Sequence, residues 1–161
     1  MIILISFTIM SSARNSSDSL LKKNNVFLEL GGNGLSYSLN YERNIWDSYK
    51  NNFSMRIGFA LYKDPKTEFT LPILFNYNRS LSKNKIHHME LGIGTTLNSD
   101  YSLYDEFIIN PFISGQIGYK YIKNHFLFRM NYTPLIEVDN GRAYLLGLFY
   151  IWGGISIGYS F

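Results

Sequence analysis

From Val26 to the end of the chain, apolar and polar residues alternate with a period of two. That spacing sends successive side chains to opposite faces of a β-strand. Val26, Leu28 and Leu30 oppose Phe27, Glu29 and Gly31. After Gly31-Gly32-Asn33-Gly34 the parity flips, with Leu35, Tyr37, Leu39 and Tyr41 against Ser36, Ser38, Asn40 and Glu42. A tight Asn-Gly hairpin explains the flip, and one long strand with a glycine bulge is the alternative over 26–43. Later segments repeat the pattern. They run from Phe53 to Leu61, Phe69 to Asn78, His88 to Gly94, Ile109 to Lys120, Phe126 to Thr133 and Ile151 to Phe161. The count is about eight strands of roughly ten residues, the length of a tilted membrane-crossing strand. No long window shows a 3.6-residue period.

Alternation does not say which face is wet, because soluble barrels and sandwiches alternate too. Charge decides it. Glu29, Glu42, Glu90, Arg56, Lys120 and Arg129 lie inside the strands, on the polar face, together with His88. Lone charges in an apolar core are costly, whereas a closed polar lumen can pair them. The same face is rich in Gly, Ser and Asn, which suits the narrow interior of a small barrel. The opposite face is bulky and nearly uncharged. The strands that descend towards the C-terminal end of the barrel finish in outward Tyr41, Phe75 with Tyr77, Tyr119 with Tyr121, and Tyr159 with Phe161. Four aromatic sets at one height are expected to form an interfacial girdle. The final residues, Ser156 to Phe161, are expected to be the closing strand and the signal read by barrel-insertion machinery.

Connections fit the same topology. Residues 80–85 and 122–124 read as short inner turns, while 98–106 and 136–150 read as longer outer loops. Arg43 to Asn52 is a long stretch for an inner turn, and Gly31 to Gly34 a short one for an outer loop.

Composition narrows the function classes. The 161 residues include 13 Tyr, 12 Phe and 13 Gly against 4 Pro, an all-β bias. With no Cys, disulfides, thiolate metal sites and cysteine nucleophiles are excluded together. The formal charge of +3 comes from Lys and Arg that look scattered along the chain, so nucleic acid is not an expected partner. Met1 to Met10 form an apolar run before Ser11-Ser12-Ala13, which suits cleavage after Ala13. Residues 1–13 are therefore expected to be a signal peptide, truncated because it lacks a basic start. A flexible linker is expected over 14–25 and the barrel over 26–161.

The segments LELGGNGLSYSLNYER (28–43), LPILFNYNRSL (71–81), HHMELGIG (87–94), GYKYIKNHFLFRMNYTPL (118–135) and WGGISIGYSF (152–161) resemble the small outer-membrane β-barrel proteins of Bacteroidetes-type bacteria. The resemblance spans most of 26–161 and implies an eight-stranded barrel of the outer membrane. It implies no catalytic residues.

Candidate chemistry is sparse. His87 and His88 are adjacent on a strand, so they point to opposite faces and do not readily share a metal. His125 lies at another turn. Serine is plentiful in the lumen because small residues fit there, and no convincing Ser–His pair falls on an outward surface. Acidic and aromatic residues of the outer loops (Asp100, Asp105, Glu106, Glu137 and Asp139 with Tyr101, Tyr104 and Tyr144) are a place for a ligand, although a solvated loop surface explains them as well.

The sequence thus predicts an all-β, eight-stranded antiparallel up-and-down transmembrane β-barrel, monomeric, with both termini periplasmic and the lumen filled by side chains. Its expected partners are outer-membrane lipid, lipopolysaccharide and the insertion machinery. No cofactor, metal or enzymatic activity is expected. The alternatives are an outer-membrane lipid-modifying enzyme and a soluble lipocalin-like carrier.

Overall fold

Closure of the period-two segments into one ring of strands is the organising feature of the computed structural model, which describes residues 22–63, 67–101, 107–139, 142–145 and 152–161. The strands are β1 (Asn24–Gly31), β2 (Tyr37–Asp47), β3 (Asn51–Lys63), β4 (Thr67–Ser80) and β5 (His87–Tyr101). They continue as β6 (Phe107–Lys123), β7 (Phe126–Tyr132), β8 (Leu135–Asp139), β9 (Arg142–Leu145) and β10 (Gly153–Ser160). Neighbours pair in the order β5-β4-β3-β2-β1-β10-β7-β6-β8-β9, and β5 also pairs with β6. That last pairing closes the sheet. β7 and β8 lie end to end along β6, and β9 continues the path of the final strand, so the architecture is a closed eight-stranded antiparallel barrel.

The flip of parity after Gly31 is a hairpin. β1 pairs with β2 from Asn24↔Arg43 to Leu30↔Tyr37. Between them, Gly32–Gly34 form a single 3-10 turn, with Gly31 and Gly32 at φ +72° and +69°. Glycine is suited to this left-handed backbone because it has no Cβ to clash.

Several expected boundaries move. β1 starts at Asn24, two residues inside the expected linker 14–25, because Asn24 and Asn25 find partners in Arg43 and Glu42 of β2. The signal peptide expected over 1–13 falls outside the described residues. The long inner turn shrinks to 48–50, since β2 continues to Asp47 and Ser48 N–H donates to Asn51 O at 2.8 Å. Two expected outer loops are partly strand. β5 pairs with β6 as far as Tyr101↔Phe107, and β8 and β9 form a hairpin from Ile136↔Leu145 to Asp139↔Arg142. Their backbone groups need partners, and the growing sheet supplies them.

The seventh strand is broken once. Its pairing with β6 jumps from Ile117↔Tyr132 to Ser114↔Leu135. Pro134 sits in the gap and has no N–H to give the ladder, while its carbonyl accepts from Gly115 N–H at 2.9 Å.

The start of β1 and Phe161 meet at one end of the barrel. Asn24 N–H donates to Phe161 O at 2.9 Å, and Phe161 N–H donates to Asn24 O at 2.8 Å. The turns 48–50, 81–86 and 124–125 share this end with Asn24 and Phe161.

Candidate functional site

The lumen is the most elaborate arrangement of side chains in the barrel. Inward positions alternate along the strands whose side chains are described, so β1, β2, β3, β5, β6 and β7 each contribute a charge to one enclosed space. Glu29, Glu42, Arg56, Glu90 and Arg129 are fully buried, and Lys120 nearly so. Three carboxylates thus face three cations.

They form two linked clusters. In one, Arg56 donates from Nη2 to Glu29 Oε2 and from Nε to Asn40 Oδ1 at 2.9 Å. Asn131 Nδ2 holds the other oxygen of Glu29 at 3.0 Å. In the other, Lys120 Nζ donates to Glu42 Oε1 at 2.6 Å and Asn78 Oδ1 at 2.8 Å, and also pairs with Glu90. Arg129 pairs with Glu42 and lies 3.2 Å from Glu90 Oε2. Gln116 joins the clusters: its Oε1 accepts from Arg56 Nη1 at 3.0 Å, and its Nε2 donates to Glu90. In a water-poor interior each such pair is held strongly, because either partner alone would be a buried, uncompensated charge.

Apolar residues complete the filling. Phe27, Leu74, Leu127, Phe112 and Leu135 are buried inward. Phe27 lies between the two arginines, with guanidinium carbons 4.4 Å (Arg129) and 5.1 Å (Arg56) from its ring centroid. A glycine faces this ring across the β1–β10 seam: a Cβ on Gly158 would collide with the Phe27 Cβ and the Val26 carbonyl.

Sequence reasoning missed the inward turn at the far end. Gly32, Asn33 and Gly34 are buried. Asn33 Nδ2 donates to Gln116 Oε1 at 2.8 Å, and Asn33 O accepts from Thr96 Oγ1 at 2.9 Å. Trp152 Nε1 donates to Gly32 O at 2.8 Å, and the Tyr62 hydroxyl donates to Gly34 O. The turn is a stopper folded into the mouth, tied to β3, β5, β6 and the start of the last strand. The only signal for it was the run of glycines, which equally suits an ordinary hairpin.

His88 is buried but apart from the ion pairs. Its Nε2 is 2.8 Å from Lys85 O and its Nδ1 3.2 Å from Ser80 Oγ, beside the 81–86 turn. His87 points outward, against Tyr119 and Tyr121. His125 stacks on Tyr159 with centroids 4.8 Å apart. Among the described residues no cluster of three or more His, Asp or Glu could hold a metal ion.

The aromatic residues gather at the turn end. Trp46, Phe53 and Tyr77 form one chain of ring contacts across β2, β3 and β4. His87, Tyr119, Tyr121 and Phe126 form a second, and His125, Tyr159 and Phe161 a third. The Tyr41 hydroxyl donates to Asn24 Oδ1 at 2.8 Å. Phe75 stands apart, one outward position further from the turns, with Met55 and Ile93 as its register neighbours. Trp46, Phe53 and Phe126 were not among the expected girdle residues, because they begin ascending strands or end β2 where a turn is expected. Of the loop residues, 102–106 lie outside the described part of the chain, as do the side chains of Tyr101, Glu137, Asp139 and Tyr144.

Compared with protein-family models, curated proteins and solved structures, the chain matches none of them, so its functional reading rests on the barrel, its lumen and its outer face.

Proposed function

We propose that this chain is an integral outer-membrane β-barrel protein. One observation carries the reading: the barrel is polar inside and apolar outside. Among the described residues, 24 polar or charged side chains are buried against 6 apolar ones, while 32 large hydrophobic or aromatic side chains are exposed. A water-soluble barrel has the reverse arrangement, since burial of apolar area is what drives its folding. On the outward face between the turn end and the far end, residues such as Leu28, Leu39, Ile57, Ile93, Ile117 and Ile157 are all uncharged and well exposed. Lipid is the solvent that suits them.

The lumen is filled by ion pairs, Phe27 and the inward 32–34 turn, so the role is a structural or surface-interaction one rather than that of a wide aqueous channel, which needs about sixteen strands. A soluble lipocalin-like carrier calls for an apolar, open interior, and the six charges in this one argue against it. The short turns and both termini face the periplasm in this reading, with the 32–34 stopper and the β8–β9 hairpin on the outer side.

Membrane fractionation followed by detergent gels with and without boiling tests the proposal. The expected result is recovery in the outer-membrane fraction with a folded band that shifts on heating. A soluble protein without a band shift overturns it.

A further inference from the structure

The up-and-down path of the strands sorts the charges along the barrel axis. Cations that look scattered in sequence converge on the turn end. Lys22 and Lys23 precede β1, Arg43 lies outward near the end of β2, and Lys50 is in the 48–50 turn. Arg79 ends β4 on its outward side, Lys83 and Lys85 occupy the 81–86 turn, and Lys123 ends β6. Outside the lumen, the described residues at this end carry one acid against them, Asp47. Among the described side chains, the opposite end has Glu68 and Asp100 against Lys63. Among the described residues, the excess of positive charge is therefore confined to the turn end.

The positive end also contains a small cleft. The 48–50 and 81–86 turns stand side by side, tied by Ser80 N–H donating to Lys50 O at 2.7 Å. Between them is a space of about 100 Å³ lined by Tyr49, Lys50, Ser80, Leu81, Ser82 and Lys83. That is well below the roughly 300 Å³ at which pockets for drug-sized ligands begin, and it suits a single phosphodiester. Lys85 Nζ sits 6.0 Å from the centroid of the Tyr49 ring at the same site. The cleft's own Tyr49 and Leu81, and Ile45 and Trp46 at the end of β2, are all more than half exposed. Apolar and aromatic side chains directly beside lysines match the boundary between acyl chains and headgroups, where rings and long cationic side chains both settle.

We propose that the turn end is a binding surface for the headgroups of anionic glycerophospholipids, with one phosphate seated in the cleft between Lys50 and Lys83. The cations supply attraction to the charged leaflet, and the serine hydroxyls and lysine ammonium groups supply donors to phosphate oxygens. This rests on the membrane reading above. It adds that the barrel selects lipids at one rim and is oriented by them.

The test uses the full chain refolded into phosphatidylcholine vesicles with and without phosphatidylglycerol, and spin-labelled lipids to read which species touch the protein. Phosphatidylglycerol is expected to be enriched at the protein by about fivefold or more, the factor supplied by one surface lysine at about 1 kcal/mol. The enrichment is expected to collapse in high salt and in the triple variant Lys50→Gln, Lys83→Gln, Lys85→Gln, but not in Lys63→Gln at the other end. Insertion without any preference, or a preference lowered equally by Lys63→Gln, overturns this proposal alone. Failure to insert into either vesicle overturns the membrane reading and this proposal with it. Heat-shifted gel bands of the variants show that each is folded, so disappearance of the preference reports the headgroup interactions.

Discussion

Arg129 lies over Phe27, with its guanidinium carbon 4.4 Å from the ring centroid, while its Nε and Nη1 have no hydrogen-bond acceptor among the described residues. The ring face stands in for acceptors on that side of the guanidinium, and Glu42 takes the Nη2 side. Phe27→Leu keeps most of the volume and removes the π face. Each desolvated cation–π interaction it abolishes is expected to cost about 1–2 kcal/mol. Phe27→Ala adds a cavity and is expected to cost about 3–5 kcal/mol. Urea titration of the refolded protein, followed by the gel shift, reads both.

The two ion clusters should respond unequally. Glu29 is the carboxylate paired with Arg56, whereas Lys120 and Arg129 keep Glu90 if Glu42 is removed. Glu29→Gln is therefore expected to destabilise by about 3–5 kcal/mol, the cost of leaving a buried charge unpaired. Glu42→Gln should cost visibly less. The double variant Glu29→Leu, Arg56→Leu is expected to recover much of the loss, because desolvation of both charges disappears with them. Equal unfolding midpoints for the two single variants would contradict the two-cluster description.

Gly32 joins a left-handed backbone to a tight approach: a Cβ there would sit 2.8 Å from the Glu29 carboxylate. Gly32→Val is expected to expel the 32–34 turn from the lumen at a cost of about 1–3 kcal/mol in backbone strain. Trp152 then loses its acceptor at Gly32 O, so a red-shifted and more quenchable tryptophan emission is the readout. Trp46 also emits, so the comparison is made in a Trp46→Phe background.

A charge on the outer face separates lipid from water as the surrounding solvent. Ile57 is on that face, near the middle of β3. Ile57→Arg is expected to cost about 2–4 kcal/mol in a bilayer. Tyr49→Arg, at the turn end, should cost little. A near-neutral Ile57→Arg would show that water, not lipid, covers the barrel wall.

Much of this was legible in the chain. Period two fixes the inward or outward sense of Val26 to Leu30, Tyr37 to Glu42, Phe53 to Leu61 and Phe126 to Tyr132, and the strand order follows from consecutive hairpins. The inward charges were visible for the same reason. Their partners were not, because pairing depends on shear: Glu29 reaches Arg56 two strands away, and Glu42 reaches Lys120 and Arg129 across the lumen. Gln116 as a connector and Phe27 as a filler between cations are consequences of that geometry. The alternation fades at Gly94 and Thr133, where backbone pairing continues, so the pattern understates the strands there. The cations looked dispersed because they lie in or beside every second connection, and the up-and-down path of the strands brings those connections to one rim.

The seam of the barrel has a consequence in time. β1 is held by β2 on one side and by β10 on the other, with register from Asn25↔Ser160 to Gly31↔Gly154. Its second partner is the last strand in the chain. Until that strand exists, the nascent sheet carries two raw edges and an apolar wall, a template for pairing with other chains. Nor can local pairing hurry the final step, because joining strands so far apart in sequence is the slowest kind of encounter to form. A chain of this design stays open to its copies until β1 and β10 have met. The strand that completes the circle is then also the one that ends its exposure.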